Sequence, residues 1–130
     1  MKRAITVLLA SFTVFSFQGT RAAETCDKYT NSYDKTYCFS KLFVESDTQL
    51  NVAYKALYGF LQGRDRVRLQ QAERDWIKYR DRTCQTNPGA INVECNYEVN
   101  RKRSEYLRSR LLECKAGACH SDMIGSHSWQ

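Results

Sequence analysis

The sequence has a single proline, Pro88, and only two histidines, His120 and His127, both close to its C-terminus. With histidine confined to the tail, no Ser, His and Asp set appears. There is no glycine-rich phosphate loop, and no pair of carboxylates framed by a defined cleft. Glu94 and Glu98 stand one helical turn apart, but such a pair usually marks a solvated face. The chain therefore reads as a binding protein and not an enzyme, with no catalytic residue, metal or cofactor assigned.

Period-two alternation is also missing, so no sheet is expected, and no internal repeat is visible. The one long uncharged apolar run, Ala4 to Phe17, follows Met1-Lys2-Arg3 and is too short for a membrane span of about 20 residues. Its pattern is that of a secretory signal peptide, with cleavage expected after Ala22 or Ala23. A lipid-attachment signal is absent, because the bulky acidic Glu24 stands just before Thr25-Cys26. The mature chain is expected to be soluble, without a transmembrane segment, and periplasmic or secreted.

Export changes the charge. The whole sequence carries +6, but losing Lys2, Arg3 and Arg21 leaves 17 basic residues against 14 acidic, a net charge of +3. A small charge of mixed sign does not argue for nucleic acid. The arginines and lysine at Arg64, Arg66, Arg68, Arg101, Lys102, Arg103, Arg108 and Arg110 make a patch if the start of the second helix lies near the end of the third. Asp65, Glu73, Asp75, Glu105 and Glu113 are interleaved among them, which favours a solvated face.

All six cysteines, Cys26, Cys38, Cys84, Cys95, Cys114 and Cys119, lie in the exported part. An even number in an oxidising compartment reads as three disulfides, useful to a small domain with a modest core. Sequence leaves 15 connectivities open; the local spacing suggests Cys26 with Cys38, Cys84 with Cys95, and Cys114 with Cys119. Cys114, Cys119, His120 and His127 are residue types that zinc prefers, but their spacing matches no strong zinc pattern.

Apolar residues at Phe39, Phe43, Leu50, Tyr54, Leu57 and Leu61 recur at helical spacing, predicting a helix from about Ser32 to Leu61, stopped by Gln62-Gly63. A second helix is expected from near Asp65, read as its cap, to about Cys84, with Val67, Leu69, Ala72, Trp76, Tyr79 and Thr83 inward. Asn87-Pro88-Gly89 is the clearest turn. A third helix is expected from about Val93 to Leu112, with Val99, Arg103, Tyr106, Leu107 and Leu111 on or beside one stripe. The tail beyond Cys119 is expected to be irregular. The fold class is all-α: a disulfide-stapled antiparallel three-helix arrangement, with a signal peptide at 1–22, a helical domain at 23–113 and a disulfide-bearing extension at 114–130.

Trp76 and Arg80 stand one turn apart and can stack. Such a pair can serve as a binding hot spot. The alternative is a core Trp whose Arg80 pairs with Asp47 or Asp81, and this is preferred because a small helical core needs large rings.

The spacing of Cys26 and Cys38, the set Phe43, Asp47, Leu50-Asn51 and Tyr54, and the run Leu69-x-x-Ala72-x-Arg74-x-Trp76-Ile77-x-Tyr79-Arg80-Asp81-x-x-Cys84, followed by Cys95, Arg103 and Leu107, resemble the LprI-like lysozyme-inhibitor family. The resemblance covers about Cys26 to Leu107 and implies an exported helical domain with a protein partner, lysozyme first. Asp47, Asn51, Arg80, Asp81 and Arg103 read as polar groups that lock helix packing. The sequence departs from the family pattern in its missing lipobox, in Glu73 where glutamine is usual, and in the extension bearing Cys114 and Cys119.

The leading expectation is an inhibitor of lysozyme or another peptidoglycan-cleaving enzyme that covers the sugar-binding cleft. The surface expected to make contact includes the Gln85 to Glu94 loop and the Cys114 to His120 loop, with Pro88, Glu94, Glu98 and His120 as candidate contacts. A charge of +3 gives poor steering toward a cationic lysozyme, although acidic groups around Glu45, Asp47, Glu94 and Glu98 can meet a cationic cleft locally. The competing readings are an envelope factor that binds an acidic glycan or lipid, and an immunity protein against a wall-degrading toxin.

Overall fold

The computed structural model describes residue 23 and residues 25–129; the signal peptide read at 1–22 lies outside them. After a helical turn at 25–27 come three long helices: α1 (Ser32–Phe60), α2 (Gly63–Cys84) and α3 (Val93–Lys115). The Asn31 side chain accepts a hydrogen bond from the Asp34 amide at 2.8 Å to open α1, and Asn92 does the same for Cys95 at 3.0 Å to open α3. Each cap satisfies an N–H that the first turn of a helix leaves without a partner. α1 stops at Leu61, whose backbone is extended, and Gly63 takes a φ of 50° as the chain reverses. α2 thus opens two residues ahead of the expected start. Asp65 does not cap it; its carboxylate sits inside the first turn and accepts from Arg68 and Ser121.

α1 and α3 lie closest together and run parallel, with Phe39 and Tyr97, each near the start of its helix, meeting at 6.3 Å between ring centroids. Buried residues recur at 39, 46, 50, 53 and 57 of α1 and at 97, 100, 104, 107 and 114 of α3. Steps of three and four that add to seven let two helices interlock at a shallow angle. Small residues on these stripes, Ser46, Ala53 and Ser104, permit the close approach. The Asn100 amide is fully buried on the same stripe and has no hydrogen-bond partner among the described residues.

α2 runs antiparallel to both and rests across the pair, so the three helices form the expected up-down-up arrangement. Leu69, Ala72 and Trp76 are buried, whereas Val67 and Thr83, expected to point inward, are exposed. Val67 lies two residues, or about 200°, from Leu69 around the helix. Thr83 sits at the end of the helix, where Cys84 takes the buried place through its disulfide. Leu50, Ala53, Leu57, Leu61, Leu69, Trp76, Leu107, Cys114 and Ile124 make the main core; Cys26, Phe39 and Tyr97 form a second cluster at the α1 and α3 starts.

Two further expectations are corrected. A short antiparallel ribbon, β1 (Gln85–Asn87) with β2 (Ala90–Ile91), joins α2 to α3 where no sheet was expected. Five residues exposed on both faces carry no alternation to read. The tail is not irregular throughout: α4 (Ser121–Ile124) packs Ile124 into the core, and the Tyr106 hydroxyl donates to the Met123 carbonyl. A single turn held by side chains from distant helices has no periodicity of its own.

The disulfides pair Cys26 with Cys38, Cys84 with Cys95, and Cys114 with Cys119. Loop-closure entropy assigns roughly 3 kcal/mol to each of the first two and roughly 2 kcal/mol to the third. Replacing Cys114 and Cys119 together by serine is therefore expected to lower the unfolding free energy by about 2 kcal/mol and to free the tail first. Denaturant unfolding, together with amide exchange at Ile124, checks both; unchanged protection of Ile124 would show that side-chain contacts alone hold α4.

Candidate functional site

At the end of the bundle formed by the α1 and α3 starts, the ribbon projects as a hairpin, with every residue from Gln85 to Asn92 exposed. Asn87-Pro88-Gly89-Ala90 forms its tip. Gly89 has a φ of 82°, which the third position of a Pro-Gly type II turn requires. Type II turns splay hairpin strands, in keeping with the ribbon's brevity and its register shift between Gln85 and Asn87. Outside forces hold the base: Cys84–Cys95 closes it covalently, and the Asn92 amide donates to the Cys84 carbonyl at 2.9 Å.

Ile91, 64% exposed, is the large apolar group of the hairpin. Beside it runs a groove of about 290 Å³ between hairpin and α1, lined by Lys35, Phe39, Thr86, Ile91 and Glu94 among others. Lys35 makes a 2.8 Å ion pair with Asp27, and that hydrogen bond is the main cause of its raised pKa. Most hairpin side chains are amides, hydroxyls or small apolar groups, so the projecting surface from Gln85 to Asn92 carries no charge.

The candidate contacts do not all come together. Pro88 and Glu94 belong to the hairpin end, and Glu98 lies one turn further along α3, bonded to Arg101 at 3.0 Å. His120 is exposed at the opposite end, beyond Cys114–Cys119. Cys95 and Cys114 are 19 residues apart on one helix, which at 1.5 Å per residue puts the two loops roughly 30 Å apart. A single small contact cannot use both.

Comparison with known proteins bears on this geometry. The family model described as lysozyme inhibitor LprI matches residues 26–107, more than half of the chain. This chain belongs to the LprI lysozyme inhibitor family. No curated protein and no solved structure gives a significant match. Among the described residues no helix is long and apolar enough to cross a membrane, and the three disulfides together with the family fit an extracytoplasmic location.

In this LprI family member Asn51 and Asp81 bond within their own helices, and Arg80 also reaches toward α1. Arg80 donates to Asp81 at 2.8 Å and lies 3.9 Å from Asp47 of α1, with its guanidinium 5.3 Å from the Trp76 ring. Asn51 turns back on Asp47, bonding its carbonyl at 2.9 Å. Leu50 and Leu107 are buried, and Tyr54 and Tyr79 pack against the main core. Trp76 is 1% exposed, so the Trp76–Arg80 stack is interior and its ring is not offered to a partner.

One interaction that the sequence reading missed joins α2 to α3. Buried Arg103 donates through Nε and Nη2 to Glu73 Oε2 at 3.0 and 2.9 Å. Burial raises the Glu73 pKa against the opposing pull of Arg103, and burial lowers that of Arg103. Thirty residues separate the partners, so only a charged residue on the apolar side of each helix hinted at the pair. The basic patch is likewise broken up: Arg101 bridges Glu98 and Glu105, Arg110 pairs with Glu113, and Arg66 donates to the Tyr58 carbonyl.

Proposed function

We propose that this protein is an exported inhibitor of lysozyme or of another peptidoglycan-cleaving enzyme, acting by insertion of the Gln85–Ile91 hairpin into the substrate cleft. The observation that carries this reading is the wholly exposed ribbon held at its base by Cys84–Cys95 and carrying Ile91 outward. A stapled hairpin loses little conformational entropy when it binds. The fit is steric and apolar, consistent with a charge of +3 that offers no long-range attraction to a cationic enzyme. The hairpin and the family domain make up the binding part, the protein acts in the periplasm or outside the cell, and it performs no catalysis of its own.

The test is lysis of bacterial cell walls by a c-type lysozyme with the oxidised chain 23–130 titrated in. Dose-dependent inhibition is expected, weakened at least about tenfold by Ile91→Asp, equivalent to about 1.4 kcal/mol of binding, with the helical circular dichroism unchanged. No inhibition at large molar excess with helicity intact would sink the lysozyme claim. Full inhibition by Ile91→Asp would remove the hairpin from the contact. An acidic-polymer binder would instead lose its ligand steeply as salt rises.

A further inference from the structure

A second hollow, of about 360 Å³, opens on the α2–α3 face and is lined by Trp76, Tyr79, Lys102, Arg103, Tyr106 and Trp129 among others. Part of its wall comes from the C-terminal extension. Ser128 and Trp129 fold back over the domain, secured by the Ser121 hydroxyl on Asp65 at 2.9 Å and by His127 3.5 Å from Asp75. The Trp129 ring stands 4.5 Å over the Arg103 guanidinium, on which the Tyr106 and Trp76 rings also converge at 5.5 and 5.9 Å.

The hydrogen-bonding groups here are unbalanced. Arg103 is 3% exposed and spends Nε and Nη2 on Glu73, but its Nη1 has no acceptor among the described residues. The buried Trp129 Nε1 has none either. Both groups can only donate, Lys102 adds an exposed ammonium, and Glu73, the carboxylate nearby, is already engaged. Buried donors without acceptors are rare in folded proteins. Ring faces beside cationic donors are what a small anion with a flat or cyclic body needs, and the volume lies in the range of small-ligand sites. The Tyr79 and Ser128 hydroxyls add partners that a sugar can use and a plain aromatic acid cannot.

We propose that this hollow binds a carboxylated pyranose, its ring against the Trp129 and Tyr106 side chains and its carboxylate held by Lys102 and the donors of Arg103 and Trp129. The site is separate from the hairpin and does not depend on inhibition. The extension thereby completes a ligand site that the family domain alone leaves without a wall.

Trp76 and Trp129 are the two tryptophans of the chain and both line the hollow, so intrinsic fluorescence reads occupancy directly. The oxidised chain 23–130 is titrated with N-acetylmuramic acid, with N-acetylglucosamine as the neutral sugar and lactate as the carboxylate without a ring. A saturable emission change is expected with the acid sugar, at least tenfold weaker or missing with the other two. Lys102→Ala, at an exposed position, should weaken binding at least fivefold, whereas Ile91→Asp should leave it unchanged. No saturable response to the acid sugar, an equal response to the neutral sugar or to lactate, or undiminished binding by Lys102→Ala would each overturn the proposal.

Discussion

Replacing Arg103 by alanine is expected to destabilise the protein by roughly 3–5 kcal/mol at neutral pH, because it leaves the Glu73 carboxylate buried between α2 and α3 without its partner. Against a total stability of about 5–15 kcal/mol for a domain of this size, that is a severe loss, and the melting temperature should fall by at least about 12 °C. Arg103→Lys should recover little, since an ammonium cannot reproduce the planar guanidinium that converges on Glu73 Oε2 through two N–H groups and stacks among three rings. Removing both charges, with Glu73→Leu and Arg103→Met, should cost far less than Arg103→Ala, because no unpaired charge remains.

The pH dependence has a defined sign. Burial raises the Glu73 pKa above its ordinary 4.5, so the folded state holds that proton more tightly than the unfolded state does. The stability it contributes is fully present below the unfolded value and is lost as pH rises through the folded one. Without Arg103 the carboxyl shifts further upward. The loss caused by Arg103→Ala should therefore be larger at pH 7 than at pH 4, and in a Glu73→Gln background that difference should vanish. Denaturant unfolding at the two pH values, with the disulfides intact, decides it; an equal loss at both would show that Glu73 is not the buried charge at issue.

Trp76→Ala is the second large effect, expected at roughly 3–5 kcal/mol. Trp76 is the largest fully buried side chain, and it anchors α2 against the closely packed α1 and α3. Its removal takes away the ring on which Arg80 and Arg103 both rest. Trp76→Phe should keep part of the packing and lose less. A hot spot on an exposed surface would behave in the opposite way, with Trp76→Ala weakening a partner and leaving the unfolding transition in place. Unfolding followed by far-ultraviolet circular dichroism separates the two, and an unchanged midpoint would contradict the interior placement.

Much of the fold was legible because the helices are long. Phe39 to Leu61 and Leu69 to Tyr79 repeat their apolar residues over several turns, and a stripe repeated that often outweighs local propensity. Pro88-Gly89 marked the reversal, since only glycine takes the positive φ required there at low cost. The three disulfides followed from short separations. What escaped were features whose partners are remote in sequence: the Glu73–Arg103 pair, the polar Asn96, Asn100 and Ser104 on the buried side of α3, and the docking of Ile124 and Trp129. Polar residues on an inner stripe look like errors of periodicity until a second helix is seen close enough to bury them.

For the candidate sites the division is sharper. The chemistry of the Gln85–Ile91 loop, its lack of charge and its cysteine clamp were readable in order along the chain. Its distance from the Cys114–Cys119 loop was decided by the length of α3, which separates the two clamps by the full height of the bundle. The hollow under Trp129 had no signature at all, because its walls come from α2, α3 and a tail without periodicity. By itself, then, the sequence determined the helices, suggested through short separations which cysteines clamp them, and carried in its motifs the resemblance to the family. The tertiary structure alone decided which charges are buried, which loop stands free and where the tail closes, since these depend on helix surfaces brought together from positions far apart in the chain.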